Sequence, residues 1–382
     1  MNHTQKKHSV SLMGIGTVLM SIKVSFDVSK ILFMPSWLEL VIIAIFLLCF
    51  LIEIIHNKYT MKTLLLSILL AIVAIVTGVL TTNYAIIITI VLILAVGNKD
   101  IDKYLVLIFK TQLLFLIIHL VLSGMFLIVG RSSEVFVFAR NVTRWQFGFV
   151  HPNAFSLYIF NLLMIWCWIN YTKIRITNLL IILLIMVCFT LFTKTRTSML
   201  ISIIFILLLY FSINKKFSRI LKFTAKFCIP CLFIITYLLI KTYSNGNPFS
   251  LMINNFLTGR IQLGAYGYER FGLTMFGQQI RYLSEIKWDP IWKMTIFTFD
   301  NLYSEIMCNI GIIWALIIST FMYKIVQISD NKISSFIIAW ALYGITEVNG
   351  LNVFLCFPIV FLAYLLKYRK NEEESDKTYE FN

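Results

Sequence analysis

The residues best suited to chemistry are seven arginines that lie in connections between apolar stretches of the chain. A guanidinium group is planar and donates two parallel hydrogen bonds, so it grips phosphate or carboxylate better than the ammonium group of lysine does. Their distribution predicts an anion-binding site that draws on more than one connection. The alternative is that some of them only pair with acidic loop residues such as Glu134 and Glu269. The seven are Arg131, Arg140, Arg144, Arg196, Arg260, Arg270 and Arg281.

A histidine closes the first arginine-rich connection, in the run His151, Pro152 and Asn153. Proline is favoured in the first turn of a helix, so we expect a helix to begin at Pro152 with His151 just before it. The positive end of the helix dipole favours a neutral imidazole there, which suits a base or a hydrogen-bonding group. The alternative is an ordinary histidine at the membrane interface.

The longest polar stretch is residues 242–299, which carries three of the arginines among many aromatic residues. Irregular backbone in a membrane protein has to be buried in protein or lie in water, so this stretch is expected to build a site. Within residues 258–268, glycines predict close approach of the backbone to a ligand, and tyrosines predict stacking on sugar rings. Asp300 and Tyr303 follow at the start of the next apolar stretch. Asp300 is expected to cap a helix, either as a cap alone or with a catalytic role as well.

These residues must be positioned by membrane helices. Hydrophobic residues make up 59% of the chain and charged residues 13%, with a mean hydropathy of +0.85. Soluble globular proteins carry about 25% charged residues. Apolar runs long enough to cross the hydrocarbon as helices recur along the whole chain. The sequence therefore predicts an all-α polytopic membrane protein in a lipid bilayer.

Composition argues against several other functions. The net charge of +15 does not indicate a nucleic-acid partner, because the basic residues are scattered over short connections and form no block. Cys228 and Cys231 form a CxxC pair, but inside an apolar helix without the strand and helix context of a redox motif. No cluster of His, Cys and acidic residues has the spacing of metal ligands, so we expect neither a metal nor another cofactor.

We expect about twelve membrane spans, the first of them a retained span and not a signal peptide. One large extracytoplasmic loop, residues 242–299, lies between the ninth and tenth spans, and a second outer connection covers residues 130–151. Residues 1–370 form a single transmembrane domain, followed by a short acidic cytoplasmic tail, residues 371–382. The spans are about 9–26, 36–55, 63–80, 83–97, 104–129, 152–170, 176–193, 197–213, 223–241, 300–322, 333–347 and 350–367.

Orientation follows from the enrichment of lysine and arginine in cytoplasmic loops. Applied to the predicted spans, this rule places both the N-terminus and the C-terminus in the cytoplasm. The cytoplasmic connections then carry mainly lysine, whereas the seven arginines named above all lie on the other side. We therefore expect the outer face of the membrane to bind an anion.

Four short motifs, combined with this layout, resemble one family. They are Gly-x-x-His-Pro-Asn at 148–153, Arg-Thr-Ser at 196–198, Thr-Gly-Arg at 258–260 and Asp-Asn-Leu-Tyr at 300–303. In these motifs and in its large late loop the chain resembles the bacterial O-antigen and capsular polysaccharide polymerases of Wzy type, in the O-antigen ligase-like superfamily. The resemblance covers the whole chain in layout. It departs at Asp300, because the related ligases commonly have a histidine near the start of the span after the large loop.

The resemblance implies a metal-independent glycosyltransferase of the bacterial cytoplasmic membrane. Such a polymerase transfers the growing chain from undecaprenyl pyrophosphate to the next lipid-linked oligosaccharide repeat unit on the outer face, with a chain-length regulator and a flippase as potential partners. A pyrophosphate leaving group needs cationic stabilisation, and the acceptor hydroxyl needs a base. We expect Arg144 and Arg260 to bind the pyrophosphate, and Asp300 or His151 to position or deprotonate the hydroxyl. Secondary substrate-binding candidates are Arg140, Arg196, Arg270, Arg281 and Tyr303.

Two alternatives stay open. A ligase of the same superfamily would hand finished polymer to a different acceptor, and composition does not separate it from a polymerase. A flippase or transporter of lipid-linked sugars would belong to another class. Transporters often show repeated halves, interrupted helices and ionisable groups near the membrane midplane. The sequence has no detectable internal repeat, and the arginines lie in loops, so the polymerase is favoured.

Overall fold

The computed structural model describes residues 11–97, 99–139, 142–213, 217–280, 292 and 297–367. Arg140 and Arg281, two of the candidate arginines, lie outside the described residues. A single two-stranded antiparallel hairpin, β1 (Phe136–Ala139) and β2 (Val142–Trp145), interrupts the helices of the described part. These helices are α1 (Leu12–Asp27), α2 (Ser36–His56), α3 (Met61–Thr81), α4 (Ala85–Val96), α5 (Ile101–Ile128), α6 (Pro152–Ile169), α7 (Ile176–Thr193), α8 (Arg196–Ile213), α9 (Ser218–Tyr243), α10 (Pro248–Phe256), α11 (Arg260–Phe271), α12 (Leu302–Glu305), α13 (Ile312–Ile328) and α14 (Asn331–Tyr343).

The helices have the length and composition of membrane spans. Within the described residues, seven of them are at least 18 residues long and apolar enough to cross a bilayer, namely α2, α3 and α5 to α9. Helices α4 and α13 are apolar but shorter. The chain is thus an all-α membrane protein, as its composition predicts, and the total of about twelve spans stays a prediction.

Helix α6 lies at the centre of the bundle. Its most apolar 18-residue window is 72% buried within the protein, whereas the corresponding windows of the other six long helices are only 22–39% buried. Those helices expose leucine and isoleucine side chains, for example Leu40 and Leu48 on α2 and Leu65 on α3. Apolar surface of this kind belongs against lipid. The residue that precedes α6, His151, is therefore positioned by the most enclosed helix of the seven.

The two ends of α6 meet different partners. At its C-terminal end, Trp168 Nε1 donates to Asp102 Oδ1 at 2.6 Å, and Lys332 Nζ lies 3.6 Å from the centroid of the Trp168 ring. The N-terminal ends of α5 and α14 thus lie at this end of α6. Because α14 runs antiparallel to α6, its C-terminal end lies on the side of His151, where the predicted outer connections also begin.

The predicted tenth span, 300–322, is wrong as one continuous helix. The short helix α12 passes into a π-helical turn at Ile306–Ile310, and the chain then turns at Gly311, whose φ is +122°, before α13 begins. A π-turn leaves the α-helical hydrogen-bond ladder interrupted. The span was predicted only from the apolar composition of residues 300–322, and composition does not reveal where a helix is interrupted.

Residues 272–280 fill this break from the side. Their backbone pairs with the interrupted segment, since Thr274 N donates to Met307 O at 3.2 Å, Gln278 N to Asn309 O at 2.9 Å and Ile312 N to Thr274 O at 2.8 Å. Backbone groups without helical partners have to be paired within the protein when they lie at membrane depth. The predicted large loop therefore holds helices α10 and α11 and then a segment packed against the helices.

The last predicted span, 350–367, is not a regular α-helix. It forms 3₁₀ turns at Asn349–Leu351 and Phe357–Leu365, and its side chains are largely buried. Gln112 Nε2 and Asn161 Nδ2 both donate to Phe354 O, at 2.7 and 3.0 Å, and Asn161 Oδ1 accepts from Phe357 N at 3.1 Å. These polar side chains supply the hydrogen bonds that the non-helical backbone lacks.

Candidate functional site

Arg144 is presented by the hairpin that precedes α6. It lies in β2 opposite Val137, on the strand that leads towards the start of α6. Its Nε donates to Thr193 O at 3.0 Å, and its Nη2 donates to Asn153 Oδ1 at 3.2 Å. These contacts join the hairpin to the C-terminal end of α7 and the first turn of α6. The guanidinium group is thereby held beside His151.

His151 is the N-cap of α6, and Pro152 is the first residue of the helix, as the sequence predicts. The His151 Nδ1 accepts a hydrogen bond from Asn153 N at 3.1 Å. His151 keeps an exposed surface, but the protein around it removes part of its hydration, and this is the largest cause that lowers the pKa of His151. The charges of Arg144 and Arg260 lower this pKa as well, and Asp300 opposes them. The imidazole is therefore neutral at pH 7, for reasons that include two arginines and not only the helix dipole.

The hydrogen bond at Nδ1 decides what His151 can do. A nitrogen that accepts a hydrogen bond carries no proton, so in the neutral ring the proton lies on Nε2. In this geometry Nε2 is a donor to a ligand. The structure therefore favours hydrogen bonding by His151 over its alternative role as a base.

Arg260 starts α11 after two residues with positive φ, Thr258 at +57° and Gly259 at +95°. The residue is 5% exposed. Its Nε donates to Thr346 O at 3.0 Å, and its Nη1 donates to Leu257 O at 3.1 Å and to Thr258 Oγ1 at 2.7 Å. Nε thus fastens α11 to the turn after α14, and Nη1 holds the turn that directly precedes α11. The Nη2 edge faces a carboxyl group from that turn, 3.9 Å away.

The predicted capping role of Asp300 is wrong, because Asn301 is the N-cap of α12. Asn301 Oδ1 accepts from Ser304 N at 3.0 Å, and its Nδ2 donates to Ile345 O at 2.9 Å. Asp300 is half-buried beside it and accepts a hydrogen bond from Thr298 Oγ1 at 3.3 Å. Its carboxylate is therefore not required to start the helix. Asn and Asp are equally good caps, so the sequence did not distinguish two neighbouring candidates.

The carboxyl group that faces Arg260 belongs to Glu347, which the sequence analysis did not single out. Glu347 lies in the turn after α14, and its side chain is 12% exposed. Burial raises the pKa of Glu347 to about 8, Arg260 lowers it, and Asp300 raises it further. The signal that was overlooked is an ionisable residue at the end of an apolar span, which is a reason in itself to suspect function.

Four separate parts of the chain thus converge. We call these residues the polar cluster: Arg144, His151, Arg260, Asp300 and Glu347. Charges from the hairpin, from α11 and from the start of α12 all act on His151, and Glu347 interacts with two of the same groups. The cluster combines two cations, two carboxyl groups and one neutral imidazole. It can bind an anion and accept a proton within one site.

The polar cluster does not include three other predicted substrate-binding residues. Arg196 is exposed at the start of α8. Arg270 is exposed in the last turn of α11, with its Cζ 5.6 Å from the centroid of the Tyr266 ring, and lies about 15 Å along the helix from Arg260. Tyr303 is fully buried, and its hydroxyl donates to Ala341 O at 2.6 Å. The structure therefore corrects the assignment of Tyr303, which supports the core and has no surface for a substrate.

Gly264 and Gly267 of α11 serve helix packing, which corrects the expectation of ligand approach for these two, whereas a Cβ on Gly259 would meet nothing within 4 Å. A Cβ on Gly264 would come within 2.9 Å of Ile240, and one on Gly267 within 2.5 Å of Phe299. Tyr266 is 6% exposed and packs against Phe297, with 4.9 Å between the ring centroids. Tyr266 therefore belongs to an internal aromatic cluster and presents no stacking face for a sugar, whereas Tyr268 is half-buried.

Within the described residues, no three His, Cys, Asp or Glu side chains lie close enough together to hold a metal ion. The expectation of a metal-independent site stays a prediction.

No family model matches the chain, and no curated protein and no solved structure matches it either.

Proposed function

We propose that this chain is a polysaccharide polymerase of Wzy type, which joins undecaprenyl-pyrophosphate-linked oligosaccharide repeat units on the outer face of the bacterial cytoplasmic membrane. The observation that supports this most is the convergence of Arg144 and Arg260, from two separate connections, on His151. Two guanidinium groups around one neutral imidazole suit a ligand with a diphosphate group. The membrane helices suit a ligand that is anchored to a lipid.

The diphosphate of the donor is bound at the arginines. Arg144 offers its guanidinium group from β2, and Arg260 offers its Nη2 edge from the start of α11. The N-termini of α6 and α11 both border the polar cluster, and helix N-termini favour anions. Positive charge at this place stabilises the negative charge that develops on the departing diphosphate.

The sugar hydroxyl of the acceptor enters on the side of the carboxyl groups. His151 donates a hydrogen bond from Nε2, which orients either the acceptor or the diphosphate. Because a diphosphate is already a good leaving group, the reaction needs no general acid, unlike that of glycoside hydrolases. Asp300 remains a candidate base.

A flippase or transporter is the second candidate, because the break between α12 and α13 at Gly311 is of the kind that transporters use around a substrate. In this chain, however, residues 274–278 occupy the break and pair with its backbone groups. A break filled by the protein's own chain supports a structural role. The polymerase therefore stays the favoured proposal, with a ligase of the same superfamily as its nearest alternative.

Reconstitution of the purified chain with lipid-diphosphate repeat units tests the proposal. The expected product is a ladder of oligomers, formed without an energy source and without a second acceptor. A ligase would yield product only after a different acceptor is added, and a flippase would move the lipid across the vesicle membrane without joining units. Either outcome in place of a ladder would contradict the proposal.

A further inference from the structure

Glu347 places a carboxyl group against the arginine proposed to bind the diphosphate. Its Oε1 lies 3.9 Å from Arg260 Nη2, which is too far for a hydrogen bond. Oε1 is buried and accepts no hydrogen bond from any residue that the structure describes. A buried acceptor without a donor is destabilising, because it has lost its hydrogen bonds to water. A substrate hydroxyl that donates to this oxygen would remove this destabilisation.

Part of the Glu347 side chain, though not its buried Oε1, reaches the surface of the protein. The side chain of Glu347 keeps 12% of its surface exposed, whereas that of Arg260 keeps 6%. Glu347 is held in the turn after α14, whose carbonyl at Thr346 is fixed by Arg260 Nε at 3.0 Å. The backbone that carries the carboxyl is thus fastened to the same arginine that faces it. A proton acceptor in this place is fixed relative to the donor's diphosphate.

The other two candidate bases are less well suited. The Nδ1 of His151 is occupied by Asn153 N, which leaves a protonated Nε2. Asp300 is half-buried and accepts from Thr298 Oγ1, so its carboxylate is already partly satisfied. Burial gives Glu347 a pKa of about 8, and a base with a pKa near the working pH is both strong enough to take a proton and ionised often enough to act.

We propose that Glu347 is the general base of the transfer reaction. This inference rests on the proposed function. The attacking hydroxyl oxygen forms a bond to the anomeric carbon of the growing chain, while the bond from that carbon to the diphosphate breaks and its electron pair leaves with the diphosphate. The hydroxyl proton passes to Glu347 Oε1 and from there to water. Arg260 serves both partners, since it faces the carboxyl group and the leaving group.

The test compares Glu347→Gln and Glu347→Asp with the unaltered full-length chain in the reconstituted reaction. For each, the affinity for undecaprenyl diphosphate and the single-turnover rate are measured separately. Glu347→Gln is expected to keep donor affinity within about threefold and to lose on the order of 10²–10⁴ in rate, the usual contribution of a general base. Glu347→Asp keeps the carboxyl group and should recover part of that rate.

The dependence of the rate on pH is a second measurement, and a purely structural role of Glu347 would not change it. The rate of the unaltered chain should rise with pH as Glu347 ionises, and this rise should vanish in Glu347→Gln. Other groups that face Glu347 also shape the profile, so the rise is assigned only by its loss in the variant. These groups are Arg260 on α11, Asp300 before α12, Tyr343 on α14 and Cys356 in the last segment.

Each outcome decides the inference. The role as base is overturned if Glu347→Gln reacts at a rate close to that of the unaltered chain. It is also overturned if Glu347→Gln loses rate and donor affinity in parallel, because Glu347 would then only position Arg260. If Glu347→Gln does not fold, Glu347→Asp decides by the same criterion. A lower rate at unchanged donor affinity supports the role as base, and a parallel loss of rate and donor affinity contradicts it. If the unaltered chain makes no ladder at all, the proposed function itself has failed.

Discussion

At the scale of single residues, Arg260 and His151 both use some of their polar atoms for hydrogen bonds within the protein and leave others for a ligand. Arg260 uses its Nε and Nη1 to hold backbone carbonyls and a hydroxyl, so only its Nη2 edge faces the site. His151 likewise uses Nδ1 to cap α6. Structural and chemical duties are thus divided between atoms of the same side chain. Substitution of Arg260 by lysine should be poorly tolerated for both reasons, because one ammonium group cannot serve several directions at once.

The pKa of His151 tests whether Arg144 reaches the imidazole. Arg144→Gln removes a positive charge that opposes protonation, so the pKa of His151 should rise towards its ordinary value of 6.5. An NMR titration of histidine-labelled protein measures this pKa directly. Arg131→Gln is the matched control, since it removes the same charge from an exposed position over the Phe126 ring. Equal titration curves in both variants would place the Arg144 charge away from His151.

The same shift predicts the sign of a pH effect on stability. The pKa of His151 lies below 6.5 in the folded chain, so the unfolded chain binds the proton more readily. The contribution of His151 is therefore constant above pH 6.5 and becomes destabilising as the pH falls through 6.5 towards the lower folded value. Unfolding of His151→Gln at several pH values should show a smaller loss of stability over this interval.

At the scale of elements, the apolar pattern predicted helices well and their interruptions poorly. The boundaries of α7 and α8 fall within one residue of the predicted spans, because long apolar runs are bounded by polar residues. The break at Gly311 and the 3₁₀ turns after Phe357 leave no trace in hydropathy. They depend on tertiary partners, namely Thr274 for the first and Asn161 for the second, which no local pattern identifies.

Gly311, at the break between α12 and α13, should not tolerate replacement. Its φ of +122° is strained for any other residue, and a Cβ would run into the backbone carbonyl of Met275. Gly311→Ala is expected to cost at least about 1–3 kcal/mol, seen as a lower melting temperature of the purified protein. The control is Gly124→Ala in α5, where a Cβ meets nothing within 4 Å and alanine favours the helix. Equal melting temperatures for the two variants would rule out the strained turn.

At the scale of the whole molecule, the fold brings together connections that the predicted topology assigns to one side of the membrane. The hairpin, the start of α11 and the turn after α14 meet around the N-terminus of α6. The sequence predicted Arg144, His151, Arg260 and Asp300 as site residues, and the structure gathers these four. It did not predict Glu347, because the polar end of an apolar span gives no sign of which arginine it will face.

Sidedness is tested by labelling single cysteines with a membrane-impermeant maleimide. In a background without the exposed Cys188 and Cys231, Asn245→Cys lies after α9 and Thr172→Cys lies in the connection after α6, both at exposed positions. Asn245→Cys should react in intact cells, and Thr172→Cys only after permeabilisation. The reverse pattern would place the polar cluster on the cytoplasmic side and exclude polymerisation outside.

The central claim is that Arg144 and Arg260 hold one diphosphate between them, and its most direct test is the equilibrium affinity of the purified chain for undecaprenyl diphosphate. Charge-assisted hydrogen bonds are worth about 1.5–3 kcal/mol, so Arg144→Gln and Arg260→Gln should each weaken binding by on the order of 10- to 100-fold. Because both arginines would contact the same ligand group, the loss of binding free energy in the double variant should differ from the sum of the losses in the two single variants. Arg131→Gln should bind as the unaltered chain does. Unchanged affinity in both single variants, with folded protein, would contradict the account.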